Sequence, residues 1–126
     1  MKCVMAIIRI NKMNQTKKAL LNAGITSMTA TGNVSGRGKG LWDAKVLEGA
    51  RENKPEAIEL LGKEPPMRPQ RIVQIIVPQK MVKRVVEIII EANQTPAPGD
   101  GKIFVFPTTD AINVRTGAHG DPVLDV

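Results

Sequence analysis

Thr95–Pro107, TPAPGDGKIFVFP, holds a Pro- and Gly-rich turn that runs directly into an apolar strand, with one lysine at the junction. Gly99, Asp100 and Gly101 provide a backbone that can point its N–H groups in one direction, and Lys102 adds a cation beside them. Backbone donors combined with a lysine bind anions, phosphates above all. The same composition is also common where a loop enters a strand, so the stretch is a candidate anion site or a plain loop-to-strand junction.

Hydrophobic alternation and helical spacing divide the chain into two units of strand, helix and strand, separated by a long connection. The predicted elements, in chain order, are a strand over 2–10, a helix over 14–22, a strand over 25–34, a strand over 70–78, a helix over 79–93, a strand over 103–106 and a short extra strand over 108–116. Two right-handed crossover units joined antiparallel give a four-stranded sheet with both helices on one face. The sequence therefore predicts an α+β fold, a ferredoxin-like βαββαβ sandwich.

The face of the sheet that is turned away from the helices is also expected to be apolar. In the first strand, Cys3, Met5 and Ile7 alternate with a second apolar set. A strand of this kind is typical of burial on both faces, yet no predicted element remains to cover the second face. Burial by self-association follows, and we expect an oligomer.

The connection between the second and third strands, residues 35–69, follows neither pattern. It begins with SGRGKG and continues with charged residues throughout and four prolines. A connection of this length in a compact domain is functional or disordered. Gly36–Gly40 is a second candidate anion loop, although glycine and basic residues also make solvated loops, and Arg115 adds a cation where the last strand ends. In a ferredoxin-like sheet these places can meet Lys102 at a cleft between subunits, where a polyphosphate finds the positive charge that it needs.

The chain has 126 residues, 42% of them apolar and 2% aromatic, and a formal net charge of +6. This length suits one domain with an aliphatic core. Residues 1–40 carry seven Lys and Arg residues and no Asp or Glu, so they can meet nucleic acid, an acidic protein surface or small anions. A nucleic-acid binder of this size carries stacking aromatics or a reading helix, and neither is visible. The pattern favours small anions or a protein partner without direct nucleic-acid contact; a basic nucleic-acid-binding ferredoxin-like protein is the alternative.

Groups for catalysis are few in this sequence. The only histidine, His119, lies in a glycine-rich tail, and the only cysteine, Cys3, lies in an apolar strand. They cannot supply a histidine-based triad or a thiolate and imidazole metal site, so we expect neither an enzyme nor a metal site. A single cysteine is typical of a reducing compartment, and no apolar run reaches the length of a membrane helix. We therefore expect a cytoplasmic protein without a membrane segment.

The motif T-x-x-x-GDGKIFV, residues 95–105, resembles the C-terminal signature of the PII signal-transduction proteins at every fixed position. The segments 2–10, 20–28 and 114–117 are similar to PII segments as well. The resemblance therefore covers nearly the whole chain outside residues 41–68.

That resemblance implies a single PII-like domain over residues 1–126 and a trimer of ferredoxin-like subunits whose second sheet faces pack together. Residues 36–69 are then the T-loop, inserted between the second and third strands, residues 94–102 the nucleotide-binding loop, and residues 117–126 a flexible tail. The resemblance further implies that ATP or ADP binds in the clefts between subunits, that Mg²⁺ is held through bound ATP, and that 2-oxoglutarate is sensed beside it.

The resemblance also assigns roles to individual positions of this sequence. The nucleotide-binding residues are Thr29, Gly36, Arg37, Gly99, Asp100, Gly101, Lys102 and Arg115. The residues assigned to 2-oxoglutarate depart from the family pattern and are Gly38, Lys39, Gln70 and Arg71. Gly38 stands where the family has a glutamine, Gln70 stands near its carboxylate-pairing lysine, and Asn113 replaces the first of two phosphate-binding arginines. Because the chain has no Tyr, tyrosine uridylylation is excluded.

The GRGKG segment and the long loop with its acids and prolines are similar to the nitrogenase-regulating NifI branch, and to the longer-looped member of its pair. This similarity implies nitrogenase as the target, and either a homotrimer or a mixed assembly with a sister PII subunit. Trp42 and Arg51 are the loop residues expected to contact a partner, although Trp42 can instead tie the loop down as a hydrophobic staple. Regulation of an ammonium channel or of glutamine synthetase is the alternative within the family.

Overall fold

The computed structural model describes residues 1–38, 51–53, 55 and 66–125. They belong to two compact units, Met1–Val34 with Pro69–Val126, and Ser35–Arg68. The two predicted site residues Lys39 and Trp42 lie outside the described residues. In the part of the chain that is described, no helix has the length and apolar character needed to span a membrane.

Within the described residues, five strands and two helices follow one another in the order strand, helix, strand, strand, strand, helix, strand, so the second predicted strand is split in two and the extra last strand is absent. Their bounds are β1 (Lys2–Arg9), α1 (Met13–Asn22), β2 (Thr29–Ala30), β3 (Val34–Gly36), β4 (Arg68–Val77), α2 (Val82–Asn93) and β5 (Gly101–Pro107). A short 3₁₀ turn leads into each helix, and a third lies at Asp121–Val123.

The strands β2, β4, β1 and β5 lie side by side in that order and are antiparallel. β1 is at the centre, where Ile8 lies opposite Arg71 of β4 and opposite Gly101 of β5. One helix connects β1 to β2 and the other connects β4 to β5, which is the ferredoxin-like arrangement. The predicted α+β fold is confirmed.

Both helices pack on one face of this sheet. Alternate residues of β1 and β4 are buried there together with apolar residues of the helices: Val4, Ala6, Ile8, Val73, Ile75, Val77, Met13, Leu20, Val85 and Ile89. A buried polar pair also joins the helices, since the Asn93 amide donates to the Thr16 hydroxyl oxygen at 2.9 Å. The Thr16 hydroxyl in turn donates to the Lys12 carbonyl at 2.7 Å, so the Thr16 hydroxyl and the Asn93 side-chain N–H are hydrogen-bonded inside the core, whereas the buried Asn93 side-chain oxygen has no partner among the described residues.

The opposite face of the sheet is apolar as predicted. Phe104 and Phe106 of β5 lie on it beside Met5 and Cys3 of β1, and they are 45% and 40% exposed. Two phenylalanines open to solvent on one sheet face form a surface that favours association. The oligomer itself remains a prediction.

The strand predicted over residues 25–34 is wrong in extent. Only Thr29–Ala30 and, after a break, Val34–Gly36 are strands. Between them the Thr31 hydroxyl accepts the Ile72 N–H at 3.0 Å, so a side-chain oxygen takes the place of a main-chain carbonyl. Such local side-chain bonds compete with a regular ladder, and a hydrophobic pattern does not reveal them.

The extra strand predicted over residues 108–116 is also wrong. Within the described chain, this segment makes one isolated bridge, between Ile112 and His119. The Asn113 side-chain oxygen accepts the Arg115 N–H at 3.0 Å, which folds the chain into a turn. The predicted mobility of the tail that follows remains a prediction.

Candidate anion-binding site

The turn between α2 and β5 is closed by the carboxylate of its own Asp100. One carboxylate oxygen accepts the Thr95 N–H at 2.7 Å, and the other accepts the Thr95 hydroxyl at 2.6 Å. The Thr95 hydroxyl oxygen also accepts the Ala97 N–H at 3.2 Å. Hydrogen bonds to a carboxylate are shorter and stronger than those between neutral groups, so the first and last residues of the turn are held together.

Arg9, at the end of β1, holds the same turn from outside. Its Nε donates to the Gly99 carbonyl at 3.0 Å and its Nη2 donates to the Pro98 carbonyl at 2.8 Å. Its Nη1 lies 3.4 Å from the nearer Asp100 carboxylate oxygen. The rigid guanidinium fork makes all three contacts at once, and the turn is thereby attached to the central strand.

Two glycines of the turn are required by its backbone conformation. Gly99 and Gly101 have φ values of 97° and 110°, a region that side chains of L-residues rarely adopt. A Cβ atom at Gly101 would also overlap the carbonyl oxygen of Ile7 in β1. The GDG sequence is therefore the one that lets the turn lie against β1.

Asp100 is held in its charged form. Hydrogen bonds from the Thr95 hydroxyl and the Thr95 N–H lower the pKa of Asp100 below its ordinary value; partial burial opposes the shift, and the Arg9 charge adds to it. A carboxylate with a lowered folded pKa contributes stability above its unfolded pKa. That contribution is lost as the pH falls through the folded value, so it is fully present at neutral pH.

Lys102 and Thr29, both predicted to contact a nucleotide, lie at opposite edges of the sheet. Lys102 is exposed in β5 and lies opposite Ile7 of β1. Thr29 is exposed in β2 and lies opposite Gln74 of β4. Two strands separate them, about 14 Å at the usual strand spacing. One subunit therefore does not place these two residues side by side.

Gln70 and Arg71, the described candidates for 2-oxoglutarate in β4, point to opposite faces of the sheet because they are adjacent in a strand. Gln70 lies opposite Arg9 in the ladder. The Arg71 Nε donates to the Thr31 carbonyl at 2.9 Å. The structure thus brings Gln70, and not Arg71, next to the residue that holds the turn.

The other predicted site residues are exposed or lie in the second unit. Arg115 is exposed, and it lies in a turn that is closed by the hydrogen bond from its own N–H to the Asn113 side-chain oxygen. Gly36 is half-buried in β3, Arg37 and Gly38 follow it on the surface, and Arg51 is exposed. Among the described residues, no cluster of three or more His, Cys, Asp or Glu side chains could hold a metal ion.

Sequence reasoning missed Arg9. Its partners Pro98 and Gly99 are 89 and 90 positions away, so no local motif contains the contact. The available signal was the place of Arg9 as the first charged residue after the apolar run CVMAII. A long cation that ends a central strand can reach a neighbouring turn.

Comparison with known proteins identifies a family and several relatives. A family model described as nitrogen regulatory protein P-II matches residues 1–118. A protein of Methanobacterium ivanovii named nitrogen fixation nifHD region GlnB-like protein 2 is 41% identical over 126 residues, which cover 98% of this chain and 99% of that protein. Nitrogen regulatory protein P-II 1 of Escherichia coli K12 is 35% identical over 124 residues, which cover 98% of this chain and 100% of that protein.

A solved structure is similar as well. The crystal structure of Arabidopsis thaliana PII bound to citrate superimposes with a TM-score of 0.68 at 31% identity, covering 96% of this chain and 89% of that one. The ferredoxin-like sheet is thus the fold of a known class of proteins, the PII proteins. The chain belongs to the nitrogen regulatory protein P-II family. Its nifHD-region relatives place it in the NifI-like branch. The predicted family and branch are both confirmed.

Proposed function

We propose that this protein is a cytoplasmic P-II-type regulator that binds ATP or ADP between the subunits of a trimer and controls a partner through residues 36–69. The turn Gly99–Lys102 supports this proposal most directly. It combines two side-chain-free positions, main-chain N–H groups and an exposed lysine, which together suit a phosphate chain. The protein acts as a ligand-controlled switch and not as a catalyst.

The residues present fit a nucleotide phosphate group. Gly99 and Gly101 leave space for an anion to approach the main chain, and Lys102 is free of the packing that holds the turn. The Asp100 carboxylate accepts two hydrogen bonds from Thr95 and its charge is balanced by Arg9, so it does not repel a phosphate strongly. Mg²⁺ would arrive with ATP, because phosphate oxygens and water supply most of its ligands in nucleotide sites.

A trimer explains two features that one subunit leaves open. It covers the face that carries Phe104 and Phe106, and it brings the β2 edge of one subunit to the β5 edge of the next, as a cyclic head-to-tail assembly does. Thr29 of one subunit and Lys102 of its neighbour can then hold the two ends of one nucleotide. The assembly is a homotrimer or a mixed trimer with a sister P-II subunit.

The partner we propose is nitrogenase. Support comes from the name of the Methanobacterium ivanovii relative, which refers to the nifHD region of nitrogen fixation. Trp42 and Arg51 are the loop residues that we expect to touch it. ATP together with 2-oxoglutarate, read through Gly38, Lys39, Gln70 and Arg71, would shift the loop between states of different affinity for the partner, as a switch requires.

Replacing Lys102 with alanine is expected to weaken ADP binding about tenfold or more, because a charge-assisted contact to phosphate is lost. Isothermal titration measures the affinity, and sedimentation checks that the oligomer is unchanged. Lys80→Ala is the matched control, because Lys80 is also an exposed lysine and precedes α2 at the end away from the turn. Equal affinity of Lys102→Ala and wild type would remove Lys102 from the site.

Deleting residues 42–66 is expected to abolish retention of purified nitrogenase on immobilised protein and to leave ADP binding intact. The nucleotide turn and the loop have separate roles in this proposal, so the deletion should change nitrogenase retention without changing ADP binding. Retention is compared with ATP, with ADP, and with ATP plus 2-oxoglutarate. Retention of nitrogenase by the shortened protein in every condition would refute the loop assignment, and loss of ADP binding would refute the separation of roles.

A further inference from the structure

The contacts of Arg9 fix the direction of two peptide groups in the turn. In a trans peptide, the carbonyl and the following N–H point in opposite directions, and the described chain has no cis peptide bonds. Arg9 draws the carbonyls of Pro98 and Gly99 toward itself. The N–H groups of Gly99 and Asp100 therefore face away from Arg9.

These two N–H groups have no protein acceptor within residues 1–38, 51–53, 55 and 66–125. Consecutive main-chain N–H groups that face one direction form an anion-binding concavity. Gly99 suits this arrangement because its φ of 97° lies in the region that favours glycine. The two carbonyls behind the N–H groups are held by the Arg9 guanidinium, so the direction of the N–H groups depends on it.

We infer that Arg9 is the positioning residue of the nucleotide turn: it turns the Gly99 and Asp100 N–H groups toward the phosphate and balances the Asp100 charge, without being a phosphate ligand itself. This inference rests on the proposed nucleotide function for its ligand. The orientation that Arg9 gives to the turn is a property of the nucleotide-free protein, so it can be measured without any nucleotide. The position of Gln70 opposite Arg9 in the ladder places the same guanidinium next to the residue proposed to read 2-oxoglutarate.

Two other roles for Arg9 make different predictions. If Arg9 only stabilised the fold, its loss would lower the melting temperature and affect all ligands alike. If it bound phosphate directly, Arg9→Lys would keep most of the affinity, because lysine supplies the same charge. A positioning role predicts that only phosphorylated ligands lose affinity. It also predicts that lysine restores affinity in part, since an ammonium cannot hold two carbonyls and a carboxylate in the fork geometry.

The experiment compares wild type, Arg9→Gln, Arg9→Lys and Lys17→Gln, the last of which removes one exposed positive charge from α1. ADP is titrated by calorimetry, and adenosine by NMR, which also reads weak binding. Arg9→Gln should lower ADP affinity about tenfold, with adenosine affinity unchanged. Arg9→Lys should fall between Arg9→Gln and wild type, and Lys17→Gln should match wild type.

The nucleotide-free proteins are compared by ¹⁵N–¹H spectra and amide exchange. Arg9→Gln should move the Gly99 and Asp100 cross-peaks and speed exchange of the Thr95 amide, which Asp100 holds. Unchanged ADP affinity in Arg9→Gln, an equal loss for adenosine, or near-complete rescue by lysine would overturn the inference. If wild type binds no ADP, the proposed function fails, and the spectra alone then decide: unchanged Gly99 and Asp100 cross-peaks overturn the positioning role, and shifted ones support it.

Discussion

Replacing Gly101 with alanine is expected to lower the free energy of unfolding by about 3 kcal/mol, combining backbone strain with overpacking. Gly101 has a φ of 110°, and its added Cβ would meet the Ile7 carbonyl group. The atoms that it meets belong to the backbone of the central strand, which cannot yield as the end of a flexible side chain can. The start of the β1–β5 ladder should therefore open. Urea unfolding measures the change.

Gly24→Ala is the matched control for this substitution. Gly24 also has a positive φ, 84°, but a Cβ there meets no atom within 4 Å. Its replacement should cost only the backbone term, about 1 kcal/mol. If the two variants unfold at the same urea concentration, the close approach of Gly101 to Ile7 does not constrain the turn.

Replacing Phe104 and Phe106 together with serine is expected to convert the oligomer into monomers. Each phenylalanine is nearly half exposed in the single chain, and burying such a side chain contributes about 1.5–3 kcal/mol. Every subunit of a trimer loses both side chains, so the effect is multiplied across the assembly. Light scattering coupled to size exclusion should show the mass of three chains for wild type and of one chain for the variant.

Val105→Ser is the control, because Val105 lies between the two phenylalanines and is 46% exposed, yet it lies opposite Val4 on the helix side of the sheet. It should leave the oligomer intact. A monomeric wild type, or a trimer that survives loss of both phenylalanines, would contradict association through this face. The double variant should also lose ADP affinity, since the proposed site needs two subunits.

The elements with strong periodicity could be predicted from sequence. In β1, the residues that point to either face of the sheet are apolar. In α2, Val85 and Ile89 recur at helical spacing, and these two side chains are buried in the structure. The glycine turn was visible because positive φ values demand glycine. In these places, local composition and tertiary packing favour the same structure.

The wrong strand predictions and the missed role of Arg9 share a physical cause: side chains form hydrogen bonds with backbone groups, some nearby in the sequence and some distant. Thr31 and Asn113 replace ladder hydrogen bonds with their own side-chain atoms, so hydrophobic alternation overestimates the strands around them. The role of Arg9 depends on carbonyls near the other end of the chain. The Asp100 carboxylate closes the turn from within, a contact that the sequence motif did not reveal; the predicted part of Asp100 in nucleotide binding stays a prediction.

Calorimetric titration of the intact wild-type protein with ADP, and separately with ATP and Mg²⁺, tests the central claim most directly. The protein is first shown to be folded by circular dichroism. The account predicts saturable binding of one nucleotide per chain, with Lys80→Ala equal to wild type and Lys102→Ala weaker. A folded protein that binds neither ADP nor ATP would contradict it.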